Sequence, residues 1–193
     1  MATDTELMAE IKTDFLSSSE LIKQSVSLNG QIHDAINKIV HALRSGNKII
    51  LFGNGGSAAD AQHIATEFLG RFKLERNSLP AICLTDNTSL LTALSNDYSS
   101  EIIFSRQCSS MLSPNDIVLA ISTSGNSENI RLGLIESKKQ GAFCIGLLGN
   151  NGGKIKNHTD ISIIVPSSDT AKIQEVHRVI YHILCDKVEK LLK

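Results

Sequence analysis

Tryptophan is absent, aromatic residues are 4% of the chain, and only three prolines occur. A protein that stacks nucleic-acid bases needs aromatic faces, and this chain has few to offer. Charge of one sign is also missing: 19 basic against 20 acidic residues leave a formal net charge of −1 with no like-charged block. That argues against nucleic acid or an anionic membrane surface as the main partner. No apolar run approaches the ~20 residues of a membrane span. The first residues, MATDTELMAE, lack the basic start and apolar stretch of a secretory signal, so a cytoplasmic location is expected. No C-x-x-C pair exists. The scattered Cys83, Cys108, Cys144 and Cys185 read as reduced thiols serving mainly as small core residues.

What is present is the composition of an ordinary globular chain: 193 residues, 41% hydrophobic and 20% charged, enough for one domain with a sizeable core. Leu7, Ile11, Phe15, Leu21, Ile22 and Val26 fall roughly at helical spacing, as do Ile32, Ile36, Ile39, Val40 and Leu43 after a break at LNG. Two helices are therefore expected over residues 1–45, forming a hairpin that caps the domain or packs against another subunit. From residue 46 to 193 the apolar runs KIILF, AICL, DIVLAI, FCIGLL and ISIIV alternate with helical stretches. This is the βαβ signature of a parallel sheet covered by helices, with strands buried on both faces. No linker or repeat interrupts it, so residues 1–193 read as one domain. After Pro166, SSDT offers capping side chains to a long last helix.

Open α/β sheets bind ligands at the carboxyl ends of their strands. Two loops there carry chemistry. The first is Gly53-Asn54-Gly55-Gly56-Ser57, where glycine lets backbone approach a ligand and a helix N-terminus follows. It also fits G-x-G-x-x-A, but Asp86 comes about ten residues too late for the ribose-binding acid of a dinucleotide fold. A tight turn that merely uses glycine would look the same. The second loop is Ser122, Thr123, Ser124, Gly125, Asn126 and Ser127. Its hydroxyls, with backbone N–H groups and a helix dipole, suit a phosphate monoester. A serine-rich helix cap is the plainer reading, although a cap needs only one such residue.

His63 and Glu67 stand four apart on the helix after the first loop, so they share a face. They read either as a surface pair or as two ligands of a divalent metal. The last helix adds Gln174, His177 and His182. His182, among apolar neighbours, is either a core histidine or a group aimed into the ligand cleft.

GNGGSAADAQHIATEFLGRF, SNDYSSEIIFSRQ, ISTSGNSENI and KIQEVHRVIYHI together resemble the phosphoheptose isomerase family of the sugar isomerase (SIS) group. The likeness runs from about Leu28 to the C-terminus. It implies a flavodoxin-like αβα sandwich with a five-stranded parallel sheet, assembled as a homotetramer with interfacial active sites. The implied reaction turns sedoheptulose 7-phosphate into D-glycero-D-manno-heptose 7-phosphate through a cis-enediol(ate), the first step toward nucleotide-activated heptose for lipopolysaccharide or related glycans. By the same resemblance Ser122, Thr123, Ser124 and Ser127 hold the phosphate. Asn54, Gly55, Gly56 and Ser57, with Asn96 and Asp97, contact the sugar. Glu67 and His182 are catalytic. His63, Glu67, Gln174 and His182 match a site for one zinc per subunit, the same His63 and Gln174 also facing the substrate. Gln174 and His182 are separated by about 12 Å of helical rise and about 80° of rotation. A single ion would therefore draw them from different protomers. The main alternative is a non-enzymatic SIS protein that binds the replication initiator, in which the equivalents of Glu67 and His182 would be lost. A sugar-phosphate sensor or nucleotide-binding module would use both loops but leave His63, Glu67 and His182 idle.

Overall fold

The computed structural model describes residues 3–193, so the first two residues of the expected 1–193 domain lie outside the described residues. Helix α1 (Asp4–Gln24) begins with a capping box, in which the Thr3 side chain accepts from the Glu6 N–H while the Glu6 carboxylate accepts from the Thr3 N–H. At the LNG break there is no open loop: a 3₁₀ turn (Ser25–Leu28) ends at Leu28, and Asn29 and Gly30 already belong to the next helix. Gln24, Ser25 and Asn29 all keep helical dihedrals, and α2 (Asn29–Arg44) follows directly. Ile32, Ala35, Ile36, Ile39 and Val40 bury one stripe of α2, as spacings of three and four dictate. Both N-terminal helices pack on the last helix, α7 (Thr170–Leu192).

The five apolar runs all become strands: β1 (Ile49–Gly53), β2 (Ala81–Cys83), β3 (Ile117–Ser122), β4 (Phe143–Leu148) and β5 (Ile161–Ile164). Every pairing is parallel, in the order β2-β1-β3-β4-β5. β1 and β3 are buried along their whole length because helices cover both faces. Ile49 and Leu51 of β1 with Ile117, Leu119 and Ile121 of β3 point to one core. That core is closed by α2, α3 (Gly56–Leu69) and α7. Ile50 and Phe52 with Val118 and Ala120 point to the other, beneath α5 (Ile103–Met111) and α6 (Glu128–Lys139). Helix α4 (Thr88–Asp97) lies between β2 and α5 in the chain.

At the amino-terminal end of the sheet, Asp116 is 1% exposed and takes Lys48 Nζ at 2.6 Å. It also accepts the N–H groups of Lys48 at 3.0 Å and Ser113 at 2.7 Å. Burial pushes its carboxyl up in pKa, but these donors outweigh burial and hold it below the usual range. The pair stitches the entries of β1 and β3 together and leaves the opposite end of the sheet free for chemistry. The chain leaves β1 toward β2 and returns to β3 on the other side of β1. The loops after β1 and β3 therefore meet at the switch point of the sheet.

Candidate active site

The two loops are joined by a reciprocal amide pair. Asn54 Nδ2 donates to Asn129 Oδ1 at 2.8 Å, and Asn129 Nδ2 donates back at 3.0 Å. Asn54, Ser57, Ser122, Thr123, Ser124 and Ser127 then line one small cavity of about 50 Å³. Ser127 is the N-cap of α6 in extended conformation, yet its hydroxyl caps nothing. A serine in that place normally accepts from the first turn. Here the hydroxyl and the first N–H groups of α6 remain available to an anion. Gly125, at φ +67°, makes the turn possible, and any Cβ at this position would collide with the backbone of Gly152. The Gly125 carbonyl accepts from Ile155 N at 2.9 Å. Gly55, at φ +55°, starts α3, and no side chain caps that helix either.

Beyond the loops, α3 and α7 run alongside each other in the same direction. Arg178 Nη2 reaches Asp60 Oδ1 at 3.1 Å across an offset of 118 residues. At the same offset the Gln174 side chain lies on Gly56 and the Tyr181 ring lies 5.5 Å from His63. This register sorts the expected site residues into groups. His63 Nε2 lies 3.0 Å from Glu67 Oε1. The His182 ring lies 5.4 Å from the His63 ring, 4.7 Å from Tyr181 and 5.5 Å from Phe72. Burial, reinforced by His63, lowers the pKa of His182, against a smaller upward pull from Glu67. The imidazole is therefore neutral near pH 7 and able to take or pass a proton. Glu67 and His182 thus flank the same His63 ring within one copy of the chain. Gln174 does not join them; it sits at the start of α3, at the first loop. Asn96 and Asp97 close α4, exposed and bonded to each other at 2.9 Å. Among the described residues neither hydrogen-bonds to the loops or to the histidine cluster.

Imidazole nitrogen and carboxylate oxygen are suitable zinc donors. As they stand, however, no three His, Cys, Asp or Glu side chains converge on a common point among the described residues. His63 is paired with Glu67 and Gln174 is held apart, so one copy does not present the four donors together.

His177, rather than His182, is the core histidine. It is fully buried, and its Nε2–H donates to the Leu148 carbonyl at 3.0 Å. Three groups escaped the sequence reading. Asn129 looks like any helix residue until Asn54 is placed beside it. Asp60, 2% exposed, holds Arg178 and the Tyr181 hydroxyl. It stands three residues before His63, so helical spacing alone could have placed it on the same stripe. Arg76 and Glu189 form a buried ion pair between the end of α3 and the end of α7, which no local signal announces.

The sequence profile of the SIS domain matches residues 14–149. The phosphoheptose isomerase of Aquifex aeolicus is 49% identical over 187 residues, covering 96% of this chain and 98% of its own length. The structure of a phosphoheptose isomerase from Francisella tularensis superimposes with a TM-score of 0.92 at 36% identity, over 95% of this chain and 98% of that one. The corresponding enzyme from Neisseria gonorrhoeae gives a TM-score of 0.90 at 34% identity, over 95% and 99%. With the parallel sheet, the hydroxyl-lined loop and the His63–Glu67–His182 cluster in place, these likenesses establish that the chain belongs to the phosphoheptose isomerase family of SIS-domain proteins.

Proposed function

We propose that this protein interconverts sedoheptulose 7-phosphate and D-glycero-D-manno-heptose 7-phosphate as an aldose–ketose isomerase. The observation that carries the reading is the gathering of Glu67 and His182 around His63 on α3 and α7, with the glycine loop that starts α3 sharing the hydroxyl-lined cavity. Ser122, Thr123, Ser124 and Ser127 take the phosphate. Asn54, Gly55, Gly56, Ser57 and Gln174 face the sugar from the start of α3, while Asn96 and Asp97 are assigned to it by family likeness. Glu67 removes a proton from C1 of the ketose as C2=O gains one, giving the enediol. The C1 hydroxyl then loses its proton, C1=O forms, and C2 is protonated. His182 moves the proton between the two oxygens. A placed acid or base is worth about 10²–10⁴-fold.

Zinc, a cytoplasmic location and a homotetramer belong to the same proposal, as does the reading of residues 1–193 as one domain. Zinc would polarise the carbonyl. By family likeness His63, Glu67, Gln174 and His182 would hold it, and because one copy does not bring three such ligands to a common point among the described residues, neighbouring copies would complete the set. For the tetramer, support lies in α1, where Leu7, Met8, Ile11, Phe15 and Leu16 are all at least 49% exposed. An apolar cavity of about 380 Å³ continues from Ile22 and Val26 to Val179 and Ile183 of α7. A soluble chain covers so large an apolar surface by association. No observation favours the initiator-binding alternative.

The test is isomerisation of sedoheptulose 7-phosphate by the purified protein, before and after chelation, with metal content measured alongside. Turnover by the native chain, lost by about 10²-fold or more in folded Glu67→Gln and His182→Asn, supports the reading. Undiminished turnover in either variant refutes it.

A further inference from the structure

We propose that the buried Arg76–Glu189 pair is a strut that sets the alignment of Glu67 against His182, so that both residues position the catalytic pair without touching substrate. The inference deepens the isomerase reading and rests on it for its kinetic arm.

Glu189 stands two turns after His182 on α7 and is 1% exposed. Its carboxylate accepts from three successive backbone N–H groups: Phe72 at 3.0 Å, Lys73 at 2.8 Å and Leu74 at 2.8 Å. Burial raises the pKa of this carboxyl, but the three N–H groups and Arg76 outweigh it and keep it ionised. Arg76 Nε lies 3.2 Å from Glu189 Oε1 without a hydrogen-bonding alignment. The rest of the guanidinium turns to the end of α3. Nη2 donates to the Glu67 carbonyl at 2.7 Å, and Nη1 donates to Phe68 at 2.9 Å and Gly70 at 3.2 Å. The last carbonyls of a helix have no partner of their own. Here a buried cation satisfies them, at the end where the helix dipole favours positive charge.

Two paths therefore run from this pair to the chemistry. One goes from Glu189 through Arg76 to the backbone of Glu67. The other goes from Glu189 to the backbone of Phe72, whose ring stacks on His182 at 5.5 Å and 27°. Residues 70–78 contain no helix or strand, so Phe72 is placed by its packing on the core and by this anchor on its backbone. Apolar replacements for a buried ion pair are often neutral or stabilising. Stability alone is thus a weak reason for this pair. Its distinctive work is to satisfy a carbonyl at Glu67 and an N–H at Phe72 at once. A displacement of about 1 Å at reacting groups can cost about 10²-fold in rate.

The test compares Glu189→Gln, Arg76→Lys and Phe72→Leu in the full-length protein. Steady-state kinetics with sedoheptulose 7-phosphate are read together with the His182 ring resonance in ¹³C-histidine-labelled protein, assigned by its loss in His182→Asn. Glu189→Gln should lower kcat by about 10²-fold with KM changed less than about twofold. The His182 resonance should move as the Phe72 ring drifts away. Phe72→Leu should move the same resonance, and the double variant Glu189→Gln/Phe72→Leu should lose little beyond Glu189→Gln alone. Arg76→Lys keeps the charge but not the fork, and should lose kcat as well. If Glu189→Gln does not fold, Arg76→Lys and Phe72→Leu decide. The strut is overturned if the folded variants keep both kcat and the native resonance, or if activity falls only in proportion to folded protein. An inactive native chain would sink the isomerase reading instead, and the resonance would still decide the strut.

Discussion

Two histidines five residues apart on α7 show how position sets chemistry. His182 keeps contact with solvent at the site, while His177 is sealed in the core and burial pushes its pKa down to about 4. An unfolded histidine titrates near 6.5. Above that pH both states hold neutral imidazole. Between about 6.5 and 4 only the unfolded chain takes up the proton, so stability falls as pH falls, by on the order of 3 kcal/mol over the whole window. The thermal midpoint followed from pH 7 to 4.5 should drop less steeply in His177→Gln than in the native chain; parallel curves would contradict the assignment. The thiols obey the same physics. Burial pushes Cys108 to about 11 and Cys144 and Cys185 to about 12, far from the thiolate form needed for reaction. Iodoacetamide at pH 8 should leave these three unmodified in the native protein and label them once it is unfolded, as mass spectrometry would show.

At the scale of elements, the hydroxyl-lined loop depends on neighbours outside itself. Gly125 combines φ +67° with a place where a Cβ would collide with Gly152. Strain at such a position costs on the order of 1–3 kcal/mol before the collision is counted. Gly125→Ala should raise KM by roughly tenfold or more and lower the melting temperature; unchanged KM would show that the loop tolerates another path. Asn129 acts from the first turn of α6 by holding Asn54. Asn129→Ala removes both of these solvent-accessible hydrogen bonds, each worth no more than about 0.5–1.5 kcal/mol. Its expected signature is weaker binding of inorganic phosphate and substrate by calorimetry, with kcat less affected than KM. Equal affinity would mean the two loops hold their spacing without the pair.

At the scale of the molecule, the unpartnered face of α1 is the largest feature a single copy leaves unexplained. Phe15 is 77% exposed near the middle of α1, and an aromatic side chain of that size gains most from burial. If the proposed tetramer packs through this face, Phe15→Asp should shift the mass seen by light scattering toward smaller species at micromolar concentration. If the metal needs a neighbouring copy, bound zinc should fall in step with the loss of tetramer. A single native-like mass for this variant would place the interface elsewhere.

The sequence alone determined the alternation of strands and helices, the parallel sheet, and the two loops at its carboxyl edge. Those features follow from local rules: runs such as DIVLAI with no polar alternation, glycines before a helix, hydroxyls crowding a strand end. It also placed His63 beside Glu67, because a spacing of four is a contact on any helix. Only the tertiary structure decided the rest. Whether His177 or His182 would be buried depended on how α7 rotates against α3, and α7 is amphipathic enough to leave both choices open. The separation of Gln174 from His182 was legible as helical rise, yet its seat at Gly56 required the register of two helices far apart in sequence. Asn129, Asp60, and the Arg76–Glu189 pair acquire meaning only through partners 75, 118 and 113 residues away. Periodicity reports what a residue does within its own element; the contact between elements is made by the folded chain.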